Sequence, residues 1–250
     1  MKFKTLNSFA LLIIAILFLF FWKQPGFYWS LFALAIAYLS MLIFGVFNLS
    51  LKFFAPAITS GHGDTIYLTY DDGPHAEFTP ILLDLLKSED IRASFFVVGK
   101  NIADQHELMR KMVDENHYIG NHSYSHDRFF QLWRTEKVYE DLDKNRELIS
   151  QFQHPSRRAF RPPIGIMNPN IAKAALKLRY PIIGWNNRTF DTTTSDVNTL
   201  WKRTRSNLNK GRTLILMHDN LPHSHELTKR IIDWGKKKGM NFATVEHLMN

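Results

Sequence analysis

A chain of 250 residues that is 45% hydrophobic carries enough apolar material for one large globular domain or two small ones and is not a disordered tail. Its formal charge is +8 and its pI near 9.6, yet half of that excess belongs to Lys2, Lys4, Lys23 and Lys52, in a stretch without any acid. The other bases are scattered over helix-like stretches, so no nucleic-acid partner is expected; the lack of cysteine excludes disulfides, Cys-ligated zinc and thiol catalysis.

Between Lys4 and Lys23 lie 18 uncharged residues, TLNSFALLIIAILFLFFW, and between Lys23 and Lys52 lie 28 more. Each can cross about 30 Å of hydrocarbon as a helix. KQPG between them reads as a turn, with Trp22, Phe27, Tyr28 and Trp29 around it in the manner of an aromatic belt. MKFK would suit the start of a signal peptide, but no small-residue cleavage site precedes Lys23 and a second apolar run follows. Residues 1–54 are therefore expected to form a transmembrane helical hairpin in a bacterial plasma membrane, with one retained span as the alternative. The lysine counts lean toward a cytoplasmic catalytic domain by only a few charges, which leaves the membrane side open. No protein partner can be inferred.

APAITSGHGD, residues 55–64, reads as a linker, and residues 65–250 as one domain. In it, β-rich runs alternate with amphipathic ones. The strand candidates are TIYLTY, ASFFVVG, YIGNHS, AFRPPIG, PIIGWN, TLILMH and NFATV; helix-like stretches such as TPILLDLLKSED, NPNIAKAALKL and VNTLWKRTRSNL separate most of them. The alternation predicts an α/β fold of about seven strands around a parallel sheet, either closed into a barrel or open and doubly wound. No GxGxxG or P-loop stands at a strand exit, so a nucleotide cofactor is not expected.

The chemistry-bearing residues fall at the ends of these strands, where sites on such sheets gather. TIYLTYDDGPH ends an apolar run in adjacent carboxylates, Asp71 and Asp72, before the turn residues Gly73 and Pro74. Two neighbouring acids inside a strand would put one into the core, so the pair belongs where the strand ends. GNHSYSH brings His122 and His126 four residues apart, a spacing that lets two imidazoles reach one ion. FRPPIG carries Arg161 before a stiff Pro-Pro, where a guanidinium can clamp a carboxylate. LMHD ends a wholly apolar run in His218. Singly, each motif is commonplace; together they supply one carboxylate and two histidines as a facial metal triad, a second carboxylate as general base and His218 as general acid.

Taken in order, the five motifs resemble the polysaccharide deacetylase family, the NodB-homology domain of carbohydrate esterase family 4, from about Thr65 to the C-terminus. The resemblance implies a distorted (β/α) barrel and a metal-dependent hydrolase that removes an N-acetyl or other acyl group from an amino sugar in a polysaccharide, peptidoglycan or lipid-linked glycan. It implies Asp71 as base, Asp72, His122 and His126 as ligands of a divalent metal, zinc before cobalt or manganese, and Arg161 as the residue orienting the base. His218 would be the acid, with Asp191 in RTFDT tuning it or its surroundings. Tyr70, Ile164 and Thr192 depart from the family pattern, and the last two remove aromatic rings from the expected groove. That loss points to a smaller or lipid-carried substrate. Competing readings are O-acetyl ester hydrolysis by the same groups, a membrane-tethered glycan-binding protein without turnover, and phosphoester hydrolysis, which usually wants a second metal and more carboxylates.

Overall fold

The computed structural model describes residues 2–249; Met1 and Asn250, the outermost residues of the expected segments, lie outside them. The chain opens with two apolar helices, α1 (Lys2–Phe21) and α2 (Phe27–Phe47), broken apart at Gln24-Pro25-Gly26, where proline and glycine end the run of good helix formers. They lie antiparallel: Phe18 stacks edge-on against Phe27, Tyr38 donates to Asn7 at 2.9 Å, and Phe3 meets Phe53 and Phe54. Both are long and apolar enough to cross a membrane, with mean hydropathies of 2.1 and 2.3. Their outward faces carry exposed Leu19, Phe20, Trp29 and Phe47, surface that a water-facing helix rarely presents.

Residues 55–64, expected as a linker, are partly built into the domain. Phe53, Phe54, Ala55 and Ala57 are buried with residues of two later helices, and Ile58 bridges Ile183 in parallel. The apolar side chains of that stretch account for the difference, because each buried one favours docking over a free tether.

The domain then alternates strand and helix: β1 (Thr65–Asp71), α3 (Phe78–Ser88), β2 (Ser94–Val97), α4 (Gly99–Ile102), α5 (His106–Asp114), β3 (Tyr118–Asn121), α6 (Thr135–Ile149), α7 (Pro169–Lys177), β4 (Asn187–Arg188), α8 (Val197–Leu208), β5 (Leu214–His218), α9 (Ser224–Lys237) and β6 (Asn241–Phe242). All pairings are parallel, in the order β3-β2-β1-β5-β4, and β6 joins β1 at its start. Of the seven expected strands, AFRPPIG is reduced to a single bridging residue, Phe160, followed by a one-turn 3-10 helix Pro163–Gly165. Pro162 and Pro163 have no N–H to give a ladder. PIIGWN likewise supplies only bridges, at Ile182 and Ile183, and the assigned strand lies just beyond it. These bridges link Asn121 to Phe160 and Phe160 to Ile182, on a segment that runs on into β4 and so back to β5.

Alternation along β1 decides which acid goes where. Ile66, Leu68 and Tyr70 face the outer core with Leu82, Leu83, Leu86, Ile231 and Ile232 of α3 and α9. Tyr67, Thr69 and Asp71 face the opposite side, where Tyr67 packs with Phe96, Tyr118 and Leu214. Register aligns the strand ends: Asp71 stands beside His218 on β5 and Phe96 on β2, and Val97 beside Asn121. A carboxylate, an imidazole and the start of the His122 loop thus meet at one edge of the sheet.

Candidate active site

Asp71 is buried as the last residue of β1. Its Oδ1 accepts from Arg161 Nη1 at 2.8 Å, and the same nitrogen donates to Thr69 Oγ1 at 2.8 Å. Arg161 is 0% exposed, so its other donors need partners. Nη2 reaches the Gly184 carbonyl at 2.9 Å and Nε the Ile183 carbonyl at 3.3 Å, while the guanidinium lies over the Phe96 ring at 4.1 Å. The cation is thereby fixed, and it fixes one oxygen of Asp71. Burial pushes the Asp71 carboxyl above its ordinary value, against the pull of Arg161, His218 and His126. A raised carboxyl is a stronger base than an exposed one.

Asp72 leaves the strand in the left-handed region, with φ 74°, which turns its side chain to the same side as that of Asp71. Its Oδ1 stands 3.3 Å from His126 Nε2 and 3.5 Å from His122 Nε2. The Asp72, His122 and His126 donor atoms all lie within 4.8 Å of one another. Gly73, next in the chain, has to be glycine: a Cβ there would fall 2.0 Å from Asp219 Oδ2. That buried carboxyl also accepts from Thr79 Oγ1 at 2.6 Å, and burial pushes it up to about 7.

The His122–His126 loop is tied down by groups that the sequence reading did not single out. Asn145, buried on α6, donates to the Val97 and Ser123 carbonyls at 2.9 Å and to Asn121 Oδ1 at 3.0 Å. The Asp141 carboxylate accepts from the Tyr124 and Ser125 amides, and Ser123 Oγ from the His126 amide. His122 Nδ1 is set against the Arg161 carbonyl at 2.8 Å, which puts the proton on Nδ1 and leaves the Nε2 lone pair facing Asp72. Burial pulls His122 down to about 3, keeping it neutral at physiological pH. The available signal for Asn121 and Asn145 was an amide at the end of an apolar strand and another within an amphipathic helix. Asn145→Ala is expected to cost about 1–3 kcal/mol for each buried acceptor left unpaired, read as a lowered midpoint in urea unfolding.

His218 ends β5, and Asp191 reaches it twice: Oδ1 accepts from Nδ1 and Oδ2 from the His218 amide, both at 2.8 Å. Ser224 Oγ holds the His218 carbonyl, and Nε2 has no protein partner among the described residues. Burial opposes a charge on His218, but the Asp191 hydrogen bond and the Asp191, Asp71 and Asp72 charges outweigh it and push the imidazole up to about 9. The seven expected site residues come from five separate segments, at or just beyond β1, β3, the Phe160 bridge, β4 and β5, and the contacts above together with the β1–β5 register bring them to one edge of the sheet. Asp72, His122 and His126 form a group that could hold a metal ion, beside a clamped carboxylate and a carboxylate-backed imidazole.

A family model described as polysaccharide deacetylase matches residues 59–183, half of the chain. The chain belongs to the polysaccharide deacetylase family. The peptidoglycan-N-acetylglucosamine deacetylase of Bacillus cereus is 30% identical over 184 residues, covering 72% of this chain and 66% of that protein. The chitooligosaccharide deacetylase of a Bradyrhizobium species is 30% identical over 175 residues, covering 68% and 80%. Among solved structures, Bacillus subtilis PdaA, a family 4 carbohydrate esterase, superposes with a TM-score of 0.67 at 26% identity over 84% of this chain and 88% of that one. The chain thus spans just under two thirds of the Bacillus cereus relative. The family match includes Asp71, Asp72, His122, His126 and Arg161 and stops short of Asp191 and His218, whose place rests on the geometry above.

Proposed function

We propose that this family member is a metal-dependent hydrolase that removes the acetyl or another acyl group from the nitrogen of an amino sugar in a glycan. The carrying observation is Asp72 Oδ1: a buried carboxylate oxygen without a hydrogen-bond partner, facing two imidazole nitrogens at 3.3 and 3.5 Å. An anionic oxygen in that position is costly unless a cation completes it. Two neutral imidazoles and one carboxylate suit zinc or a neighbouring first-row divalent ion, with open positions for substrate. When bound, the ion supplies Lewis acidity, acidifying water and polarising the acyl carbonyl.

The protein's own groups do the proton work. Asp71, its Oδ1 held by Arg161, takes the proton from the attacking water through Oδ2. His218, charged and oriented by Asp191, gives a proton from Nε2 to the departing amine; each such role is typically worth about 10²–10⁴ in rate. The names of the relatives, which act on peptidoglycan and chitooligosaccharide, support an amino-sugar glycan as substrate. In the same reading, α1 and α2 anchor the enzyme as an integral membrane protein, and the run of parallel pairings from β3 through Phe160 and Ile182 to β4 supports the distorted barrel that the motifs imply.

The test is acetate release by detergent-purified full-length protein from N-acetylated oligosaccharides and glycolipids, after chelation and after restoring zinc, cobalt or manganese. Metal-restored release is expected; no release from the whole set with metal bound at one per chain would refute the reading. A pH profile tests the acid separately. Because the His218 pKa is raised, its proton is retained until the pH rises through about 9; the ion beside Asp72 opposes the imidazolium, so the alkaline limb of kcat/KM is expected at or below 9. Asp191→Asn should move that limb toward the ordinary imidazole value. A limb that stays in place in this variant would remove His218 from the role.

A further inference from the structure

A cavity of about 600 Å³ opens between the end of α2 and the loops next to the candidate site. Exposed Arg188 and Arg212 line it together with Asn186 and the apolar Phe47, Leu49 and Trp185, and no carboxylate does. Arg188 and Arg212 form no ion pair with any acid among the described residues. Arg212 is steadied by Asn207 Oδ1 at 3.3 Å, and Arg188 lies against the Phe190 and Trp185 rings at 4.8 and 5.8 Å. Two cations that line one cavity without a carboxylate partner favour an anion that brings its own negative charge, and guanidinium forks match phosphate oxygens in particular.

The position of the cavity narrows the ligand. On one side it touches Trp185, which lies 5.8 Å from the Arg161 guanidinium holding Asp71, and Phe190, the residue before Asp191. On the other it touches Phe47, the last residue of α2. The anchor and the site are welded here: Leu49 packs so closely on Gly184 that a Cβ would fall 2.8 Å from it, and the Met167 amide donates to the Val46 carbonyl at 3.1 Å. A ligand spanning this cavity would have one end beside the candidate site and the other beside the end of α2, with the two arginines to meet an anion.

We infer that this cavity holds the phosphate of a lipid-carried amino-sugar substrate, with Arg188 and Arg212 as its clamp. The inference rests on the deacetylase reading of the neighbouring site and deepens it. Ile164, exposed in the cavity lining and offering no aromatic face to a chain of sugars, and the hairpin close by both fit a single sugar presented from the bilayer better than a long polymer.

The experiment uses full-length protein in phosphatidylcholine nanodiscs, which keep bulk anionic lipid away, with three substrates carrying the same N-acetyl amino sugar: linked to a prenyl phosphate, linked to a neutral alkyl chain, and within a soluble oligosaccharide. For the double variant Arg188→Ala/Arg212→Ala, kcat/KM on the prenyl phosphate substrate is expected to fall at least about tenfold relative to the neutral glycolipid, and Arg188→Lys/Arg212→Lys to recover part of the loss. Direct binding of sugar-free prenyl phosphate, measured in parallel, is expected to be strong for the wild type, weak for the double alanine variant and stronger than that of phosphatidylglycerol. An equal loss on phosphate-bearing and neutral substrates, no loss on either, or preference for phosphatidylglycerol would overturn the phosphate clamp. Turnover confined to the oligosaccharide would overturn it while leaving the deacetylase reading intact. Prenyl phosphate binding through the two arginines without turnover of any substrate would retain the clamp and count against the deacetylase reading.

Discussion

Asp71→Asn is expected to lower kcat by about 10²–10⁴-fold while the protein still binds one metal ion per chain. Asn keeps the shape of the side chain and can still accept from Arg161 Nη1, but it cannot take a proton. Asp72, His122 and His126 are untouched, and their donor atoms form a set without Asp71. The substitution has a second consequence, because Arg161 is wholly buried and Asp71 is its one anionic partner among the described residues. Breaking a buried pair by neutralising one member costs about 3–5 kcal/mol where the remaining charge has nothing else. The Thr69, Ile183 and Gly184 oxygens that also accept from Arg161 should keep the loss toward the lower figure. The measurement is therefore paired: turnover with metal content, and thermal unfolding. Activity within about twofold of wild type would show that some other group is the base. Lost activity with lost metal would instead mean that Asp71 and Asp72 share the ion.

His122→Ala is expected to lose metal and turnover together, with metal affinity falling by more than the 10–100-fold typical of losing only a supporting contact around a metal. His122 is buried, and its Nδ1 is fixed by the Arg161 carbonyl, which aims Nε2 at Asp72. Because an ion that binds only the folded chain stabilises it in proportion to the logarithm of its concentration, zinc should raise the wild-type Tm and leave that of the variant unchanged. Dialysed protein, metal content by elemental analysis and melting curves with and without zinc decide the matter. A variant that still holds one ion per chain tightly would break the assignment of the ligand set.

How far the site could be read from the sequence varies with how far the chemistry is local. Asp71-Asp72 at an apolar run's end, His122 and His126 four apart, and His218 closing LILMH announce themselves because a charged or titratable group at a strand exit has few structural reasons to be there. Arg161 was visible as a residue before Pro-Pro; its burial against Phe96 and its four acceptors were not. Asn145 and Asp141 lie in a helix whose pattern is ordinary, and their importance comes from partners 16 to 48 positions away. Asp219, just beyond the strand that His218 ends, reads as one more polar residue until Gly73 is seen to lie against it.

The fold divides along the same line. The sequence by itself determined the two apolar helices, the βα alternation and the parallel sheet, because hydrophobic period and turn residues act within a few residues of one another. It did not determine that AFRPPIG would be a bridge instead of a strand, although its prolines forbid a ladder, nor that Ala55 and Ala57 of the expected linker 55–64 would pack into the core. Those outcomes depend on what else the chain brings alongside. Only the tertiary structure decided that the hairpin's end rests on Gly184, one hydrogen bond from Arg161 and two from Asp71, and that Arg188 and Arg212 share a cavity between that end and the site. Packing between segments more than a hundred residues apart leaves no period in the sequence, since it is set by which surfaces meet once the sheet has formed.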